Sequence, residues 1–287
     1  MKRRDFYLFS APSIVALVMF LILPLAMALW QSFYQVTYNN LRTPVYIGLD
    51  NYKEILTDPR FWHAVQFTVL LIIIGTSAEI LIGFGVAMLL DQISKKVRGL
   101  FLAIFLTTYI SVPVVAALMF RELFRPTGLG AWLFKLVTGH PFLFTAFSVK
   151  VLIILYSIWR DTPFVIIIVF AGLQTLLQEL LEAAAIDGAS RWQQIRYITI
   201  PHLKPLIILI AMIVIMARYN TFDSVYVLTN MNPVFNADTI MTYNYRVALQ
   251  LAELGRGNAM SILSIIGIMV VLIPFLRHTY RSQVGED

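Results

Sequence analysis

The chain contains no cysteine, and only 13% of its 287 residues carry a charge, about half the share of an ordinary soluble domain. The first absence excludes disulfides, thiolate metal sites and cysteine nucleophiles, although it fixes no redox compartment. The second excludes a soluble enzyme, since 59% of the residues are hydrophobic and the mean hydropathy is +0.77. Disorder is excluded as well, because disordered chains are poor in apolar residues and this one has 20 Phe, 13 Tyr and 5 Trp. No Gly-x-x-x-x-Gly-Lys-Ser/Thr phosphate cradle is present, and no serine sits in a Gly-x-Ser-x-Gly elbow. His63, His140, His202 and His278 fall in separate segments without paired ligand spacing, so surface or interfacial histidines are a plainer reading than a metal site. The formal charge of +6 is too small and too dispersed to argue for nucleic acid.

Long apolar runs are what the chain does have. A bilayer-spanning helix needs about 20 mainly apolar residues, and six stretches qualify, at about 6–30, 64–90, 100–120, 149–173, 203–227 and 257–276. In the first, Pro12 and Pro24 mark bends. Lys2, Arg3 and Arg4 precede it like a signal-peptide n-region, but the run far exceeds an h-region and reads as an uncleaved anchor. The composition and spacing predict an all-α integral membrane protein of six transmembrane helices, residues 1–287 forming one membrane domain with no period of 20 to 50 residues. Basic residues set orientation. Those of the two termini, the 91–98 turn and the 174–205 segment number eleven, against nine in the three longer loops of the other side, which favours both ends inside. The Phe, Tyr and Trp side chains read mostly as lipid-facing bulk or interfacial belt.

The segment from Gln174 to about His202 is too polar for membrane and too patterned for a slack loop. Leu177 to Asp187 is rich in strong helix formers, and Gly188 is placed to end that helix in the left-handed conformation. Ser190 with Gln193 three residues on has capping-box spacing for a second helix, which Pro201 is expected to stop. Trp192, Ile195 and Ile198 fall on one face of it. Ala183, Ala184, Ala185, Gly188 and Ala189 leave the elbow open to close backbone approach, and Glu182 and Asp187 are available for charged partners.

The run Glu182-Ala183-Ala184-Ala185-Ile186-Asp187-Gly188-Ala189-Ser190, with Ile198 and Pro201 following, resembles the EAA loop of the membrane subunits of binding-protein-dependent ABC importers. Gly48-Leu49-Asp50-Asn51-Tyr52, Asp58-Pro59-Arg60-Phe61-Trp62, Thr162-Pro163-Phe164, Ala171-Gly172-Leu173-Gln174 and Phe222-Asp223 with Leu228-Thr229 resemble its carbohydrate branch, the maltose and glycerol-phosphate type permeases. Two positions depart from the pattern. Leu176-Leu177 stand where Ile-Pro usually leads into the loop, and Asn230-Met231-Asn232-Pro233 replace a Gly-Gly-Pro after the fifth span.

The resemblance implies a type I ABC importer permease fold with cytoplasmic coupling helices, in the bacterial inner membrane. It implies partners too: a second related permease, a cytoplasmic ATPase dimer that binds ATP and Mg, and an external substrate-binding protein. The chain itself would hold no cofactor and hydrolyse nothing. Glu182, Ala183, Ala184, Asp187, Gly188, Ala189, Ser190 and Pro201 would form the ATPase contact.

Glu79, Arg160, Asp161, Arg218 and Asp223 are ionisable residues inside the spans, where a charge is expensive and faces a partner or an aqueous cavity. One reading is interhelical ion pairing or snorkelling; the other is a substrate pathway lined by the fourth and fifth spans. Consecutive residues point about 100° apart on a helix, so Arg160 and Asp161 are not expected simply to neutralise one another, and Asp223 lies five positions from Arg218, outside pairing spacing. An unpaired arginine would suit an anionic sugar derivative. The rival function is a channel or secondary transporter coupled through carboxylates such as Glu79.

Overall fold

The computed structural model describes residues 11–284, with side chains as far as Arg277. Phe6–Ser10 of the expected first span, and the basic Lys2, Arg3, Arg4 and the Arg281 side chain used for orientation, lie outside the described residues. The chain is helical almost throughout. In order come α1 (Ala11–Gln31), a two-stranded ribbon pairing Tyr34–Gln35 with Val45–Tyr46, α2 (Asp50–Thr57), α3 (Pro59–Gln92), α4 (Lys95–Ile110), α5 (Pro113–Leu123), α6 (Leu129–Thr138), α7 (Ala146–Leu173) and α8 (Gln178–Ile186). Then follow α9 (Arg191–Tyr219), α10 (Asp223–Thr229), α11 (Ile240–Tyr245) and α12 (Leu254–Val284). Among the described residues, helices α1, α3, α7, α9 and α12 are long and apolar enough to cross a membrane, and the number is six when the bent pair α4–α5 is counted as one span.

The expected helices are corrected in three places. The third span is broken, α4 and α5 meeting at 97°. Pro113 opens α5 and lacks an amide hydrogen, and the preceding Val112 is held in an extended conformation, as a residue before proline prefers. The fifth ends at Tyr219 rather than 227, and α10 starts anew at Asp223. Pro201 does not stop a helix: α9 runs through it, because a π turn over Ile195–Thr199 immediately precedes it, with the Ile200 amide bonding Ile195 O. A second π turn, Val18–Ile22, stands just before Pro24. Both wide turns redistribute the carbonyls that a proline ring would clash with or leave unpaired.

Two compact units result, one from the residues up to Trp62 with Thr242–Met269, the other from His63–Met241 with the residues from Val270 on. In the first, Asn51 is buried and donates to Ser32 O (2.8 Å) and Tyr34 O (3.0 Å). The Gly255 amide bonds Val36 O, and a Cβ there would stand 2.1 Å from Tyr34 O. Only glycine permits that approach. Asp58 caps α3 by accepting from the Arg60 amide (2.9 Å), ahead of Pro59 in the position proline favours. Its other oxygen accepts from Tyr243 Oη and from Arg256 (3.0 Å).

Burial pushes the Asp58 carboxyl up, but the Tyr243 hydroxyl, the Arg60 amide and the Arg256 charge outweigh burial and hold it below its ordinary value. Because the folded-state value is the lower one, the stabilisation is complete above the unfolded value near 4 and is lost as pH falls through the folded value. Asp58→Asn is therefore expected to lower Tm at pH 7, with a difference from wild type that shrinks below about pH 4. A pH-independent difference in thermal melts would count against the network.

The second unit is organised on α7, which buries half of its apolar window where α1 buries none. Val149, Leu152 and Ile153 pack with Phe67 and Leu71 of α3, Ala116 and Ala117 of α5, and Val225 and Leu228 of α10. Val165, Val169 and Leu173 pack with Ala87 and with Leu203, Ile210 and Val214 of α9. Without a hydrophobic force between helices in lipid, such packing relies on small residues at the crossings. Gly83 is one, since a Cβ there would fall 2.6 Å from Val165 Cγ1. Gly83→Ala should force α3 and α7 apart and cost about 1–3 kcal/mol of stability, read as a lower Tm of the purified protein; an unchanged Tm would contradict this packing.

Candidate functional site

A cavity of about 230 Å³ lies where α3, α7 and α9 meet the two helix breaks, at Ser111–Pro113 and Asn220–Phe222. All five ionisable residues read from the spans line it, Glu79 from α3, Arg160 and Asp161 from α7, Arg218 from α9 and Asp223 from the start of α10. Arg218 is 3% exposed and forms an ion pair with the fully buried Glu79. It also meets Asp161 at 3.2 Å and donates to Ser157 O at 2.8 Å. Gly75 leaves room for the guanidinium, as a Cβ there would lie 3.2 Å from Arg218 Nε.

Arg160 donates to Asp161 at 2.6 Å, so the expectation that these neighbours would not neutralise one another is corrected. The flexible arginine stem reaches around the helix to the shared carboxylate, and Asp161 thus links both guanidiniums. Neither arginine is unpaired. Asp223 has no ion-pair partner among the described residues, in keeping with its spacing from Arg218.

Residues that the sequence did not assign to the site complete the wall. Tyr109 and Phe164 stack with centroids 5.5 Å apart, and Phe222 stacks at the same separation on Tyr226, which is not itself part of the lining. Tyr156 donates to Pro113 O at 2.9 Å, tying α7 to the start of α5. Asn220 and Thr221 occupy the second break. Their signal was a pair of polar residues followed by an acid inside an apolar run, a pattern that ends a helix as readily as it lines a path. The site offers aromatic faces beside amide, hydroxyl and carboxylate groups, and among its five charged members are two cations and three anions.

The elbow of the hairpin between α7 and α9 is built as its sequence predicts. Gly188 is left-handed (φ +83°); its amide bonds Ala185 O (3.1 Å) and the Ala189 amide bonds Ala184 O (2.9 Å), the two bonds of a Schellman motif. Ser190 and Gln193 exchange bonds in a capping box, the Ser190 amide donating to Gln193 Oε1 at 2.7 Å. Gln194 Nε2 adds a bond to Ala189 O. Glu182, Ala183, Asp187 and Gly188 are exposed on it, Ala184 and Ala189 half-buried, and Ile186 stands 87% exposed at the elbow. Pro201 lies apart from the elbow, within α9.

Comparison with known proteins agrees with these features. Residues 79–280 match the family model described as binding-protein-dependent transport system inner membrane component. The trehalose/maltose transport system permease protein MalF of Thermococcus litoralis is 30% identical over 277 residues, 94% of this chain and 92% of that one. The trehalose transport system permease protein SugA of Mycobacterium tuberculosis is 28% identical, covering 100% and 92%. Among solved structures, a chain of a bacterial alginate ABC transporter, in complex with an alginate pentasaccharide-bound periplasmic protein, superposes with a TM-score of 0.80 at 24% identity, covering 97% and 96%. The chain belongs to the inner-membrane components of binding-protein-dependent transport systems and has the type I ABC importer permease fold, a transport subunit and not an enzyme.

Proposed function

We propose that this chain is the permease subunit of an ATP-driven carbohydrate importer, sharing a translocation pathway with a second related permease. The hairpin docks into a cytoplasmic ATPase dimer, which binds the ATP and Mg, and an external binding protein delivers substrate. Both termini face the cytosol. The observation that carries this reading is the continuity of α9. Its first turn is the capped end of the hairpin and its last turn presents Arg218 to the cavity, so a displacement at the elbow is transmitted along a helix of 29 residues instead of being absorbed in a loop.

The cavity's aromatic faces and hydrogen-bonding rim suit a polyhydroxylated ring, whose C–H faces pack on aromatics while its hydroxyls bond polar side chains. Since both arginines are already paired with carboxylates, an anionic sugar derivative loses the support of an unpaired cation, and a neutral saccharide is the favoured cargo. A channel or secondary transporter coupled through Glu79 would need that carboxylate free to titrate or bind an ion, and it is engaged by Arg218.

Reconstituted vesicles test the function. Uptake of labelled saccharide should require ATP, the ATPase and the binding protein together, and uptake that persists without ATP and ATPase would overturn it. The chain has no cysteine, so Asn39→Cys should react with an impermeant maleimide from outside and Lys95→Cys should not. The reverse pattern would invert the topology.

A further inference from the structure

The hairpin departs at Thr175, just past the end of α7, and comes back beside it at His202 of α9, 27 positions later. Around His202 the helix α9 is least able to hold its own shape. The π turn over Ile195–Thr199 and then Pro201 come just before it. Pro205, three residues on, has no amide to offer the Pro201 carbonyl. Helices bend at prolines and π turns, so a displacement of the elbow would be spent in bending here unless α9 were braced from outside.

Such a brace is present. Gly172 lets the end of α7 approach α9 so closely that a Cβ there would fall 2.4 Å from Leu206 Cδ2 and 2.9 Å from Leu203 Cδ2. Beside this apolar contact, Thr175 Oγ1 and His202 Nε2 lie 3.1 Å apart. The Thr175 hydroxyl has one hydrogen, and it goes to Gly172 O at 2.7 Å, so toward the ring the oxygen accepts and Nε2–H donates. The neutral Nε2–H ring and the imidazolium both carry that hydrogen. Gln174 fixes the end of α7 in turn, its Nε2 donating to Asp91 Oδ1 at 2.8 Å at the close of α3.

We propose that His202 is a positioning residue for transport: through Thr175 it pins α9 to the end of α7 between Pro201 and Pro205, and makes this point the fulcrum about which the hairpin drives the cavity end of α9. The inference rests on the proposed docking of the hairpin into an ATPase. His202 stands eleven residues after Arg191 and sixteen before Arg218, about 16 Å and 24 Å along α9 at 1.5 Å a residue. The two arms are of the same order, so a movement of the elbow reappears at Arg218 with little loss. Thr175 and His202 are both exposed, where water competes for the bond, so its removal acts on the stroke more than on folding.

The complete transporter in vesicles, with partner permease, ATPase and binding protein, tests the fulcrum through the number of ATP molecules hydrolysed per saccharide imported. His202→Leu removes the donor and should raise that number about two- to tenfold, the range that one hydrogen bond allows, with the subunits still co-purifying. Thr175→Val should raise it too, and His202→Leu/Thr175→Val should be no worse than the worse single variant, because both delete the same bond. His202→Gln places an amide nitrogen where Nε2 stood and should restore most of the coupling. Slower uptake at an unchanged ratio in His202→Leu marks a merely structural role and would overturn the fulcrum, as would additive losses in the double variant or a Gln variant as poor as the Leu one. Wild-type uptake that needs no ATP would overturn the functional reading and the fulcrum with it, whereas a coupled wild type with an indifferent His202→Leu refutes the fulcrum alone.

Discussion

Replacing Glu79 with methionine is expected to destabilise the permease by about 3–5 kcal/mol, the usual cost of stranding one member of a buried ion pair. Arg218 is 3% exposed and Glu79 is fully buried, so water cannot stand in for the missing carboxylate. Asp161 is the remaining anion at Arg218, and it already carries the bond from Arg160 at 2.6 Å. The same reasoning predicts rescue. Glu79→Met/Arg218→Met removes both charges and leaves apolar groups of similar bulk, which buried pairs commonly tolerate, although Ser157 O then loses its donor. Thermal melts of the purified transporter should place the single variant well below wild type and the double variant between them. Asp161→Asn should fall less far, because Asp161 is 24% exposed and solvent supplies part of what is lost. A double variant less stable than Glu79→Met would show that the pair contributes more than mutual neutralisation.

The five charges of this site were legible in the sequence because of what lipid does to a charge: each stood in an apolar run where only a partner or a cavity could justify it. Their pairing was not legible. Arg218 found its partner on α3, far along the chain, and no local spacing rule reaches that distance. The prolines make the same point within single helices. Pro113 and Pro201 look alike in sequence, yet one opens a helix after a 97° bend and the other rides inside α9, because a π turn of ordinary-looking residues precedes it. By contrast, the hairpin was readable almost atom by atom, since Gly188, Ser190 and Gln193 make their bonds with residues three to five positions away. The aromatic wall of Tyr109 and Phe164 was hidden for a compositional reason. Among so many aromatics in lipid-facing positions, nothing in the sequence marks the few that turn inward.

If the hairpin couples to the ATPase as proposed, Gly188→Val is expected to abolish most transport, by tenfold or more given backbone strain of about 1–3 kcal/mol concentrated at the elbow. Gly188 sits at φ +83°, a region that β-branched side chains resist because Cβ crowds the backbone. Nothing lies within 4 Å of the Cβ position, so the cost is conformational and not a clash with neighbours. If the chain relieves it by leaving the left-handed region, the amides of Gly188 and Ala189 lose Ala185 O and Ala184 O, and Ser190, two residues on, no longer aims its capping box along α9. The elbow would then move without moving the helix that carries Arg218. Gly188→Asn separates this account from a simple loss of surface, because asparagine tolerates the left-handed conformation while adding a comparable side chain. Both variants should insert in the membrane at wild-type amounts. Uptake into vesicles should survive in the Asn variant and fail in the Val variant, with weaker co-purification of the ATPase; equal transport in the two, whether high or low, would detach the elbow's backbone geometry from coupling.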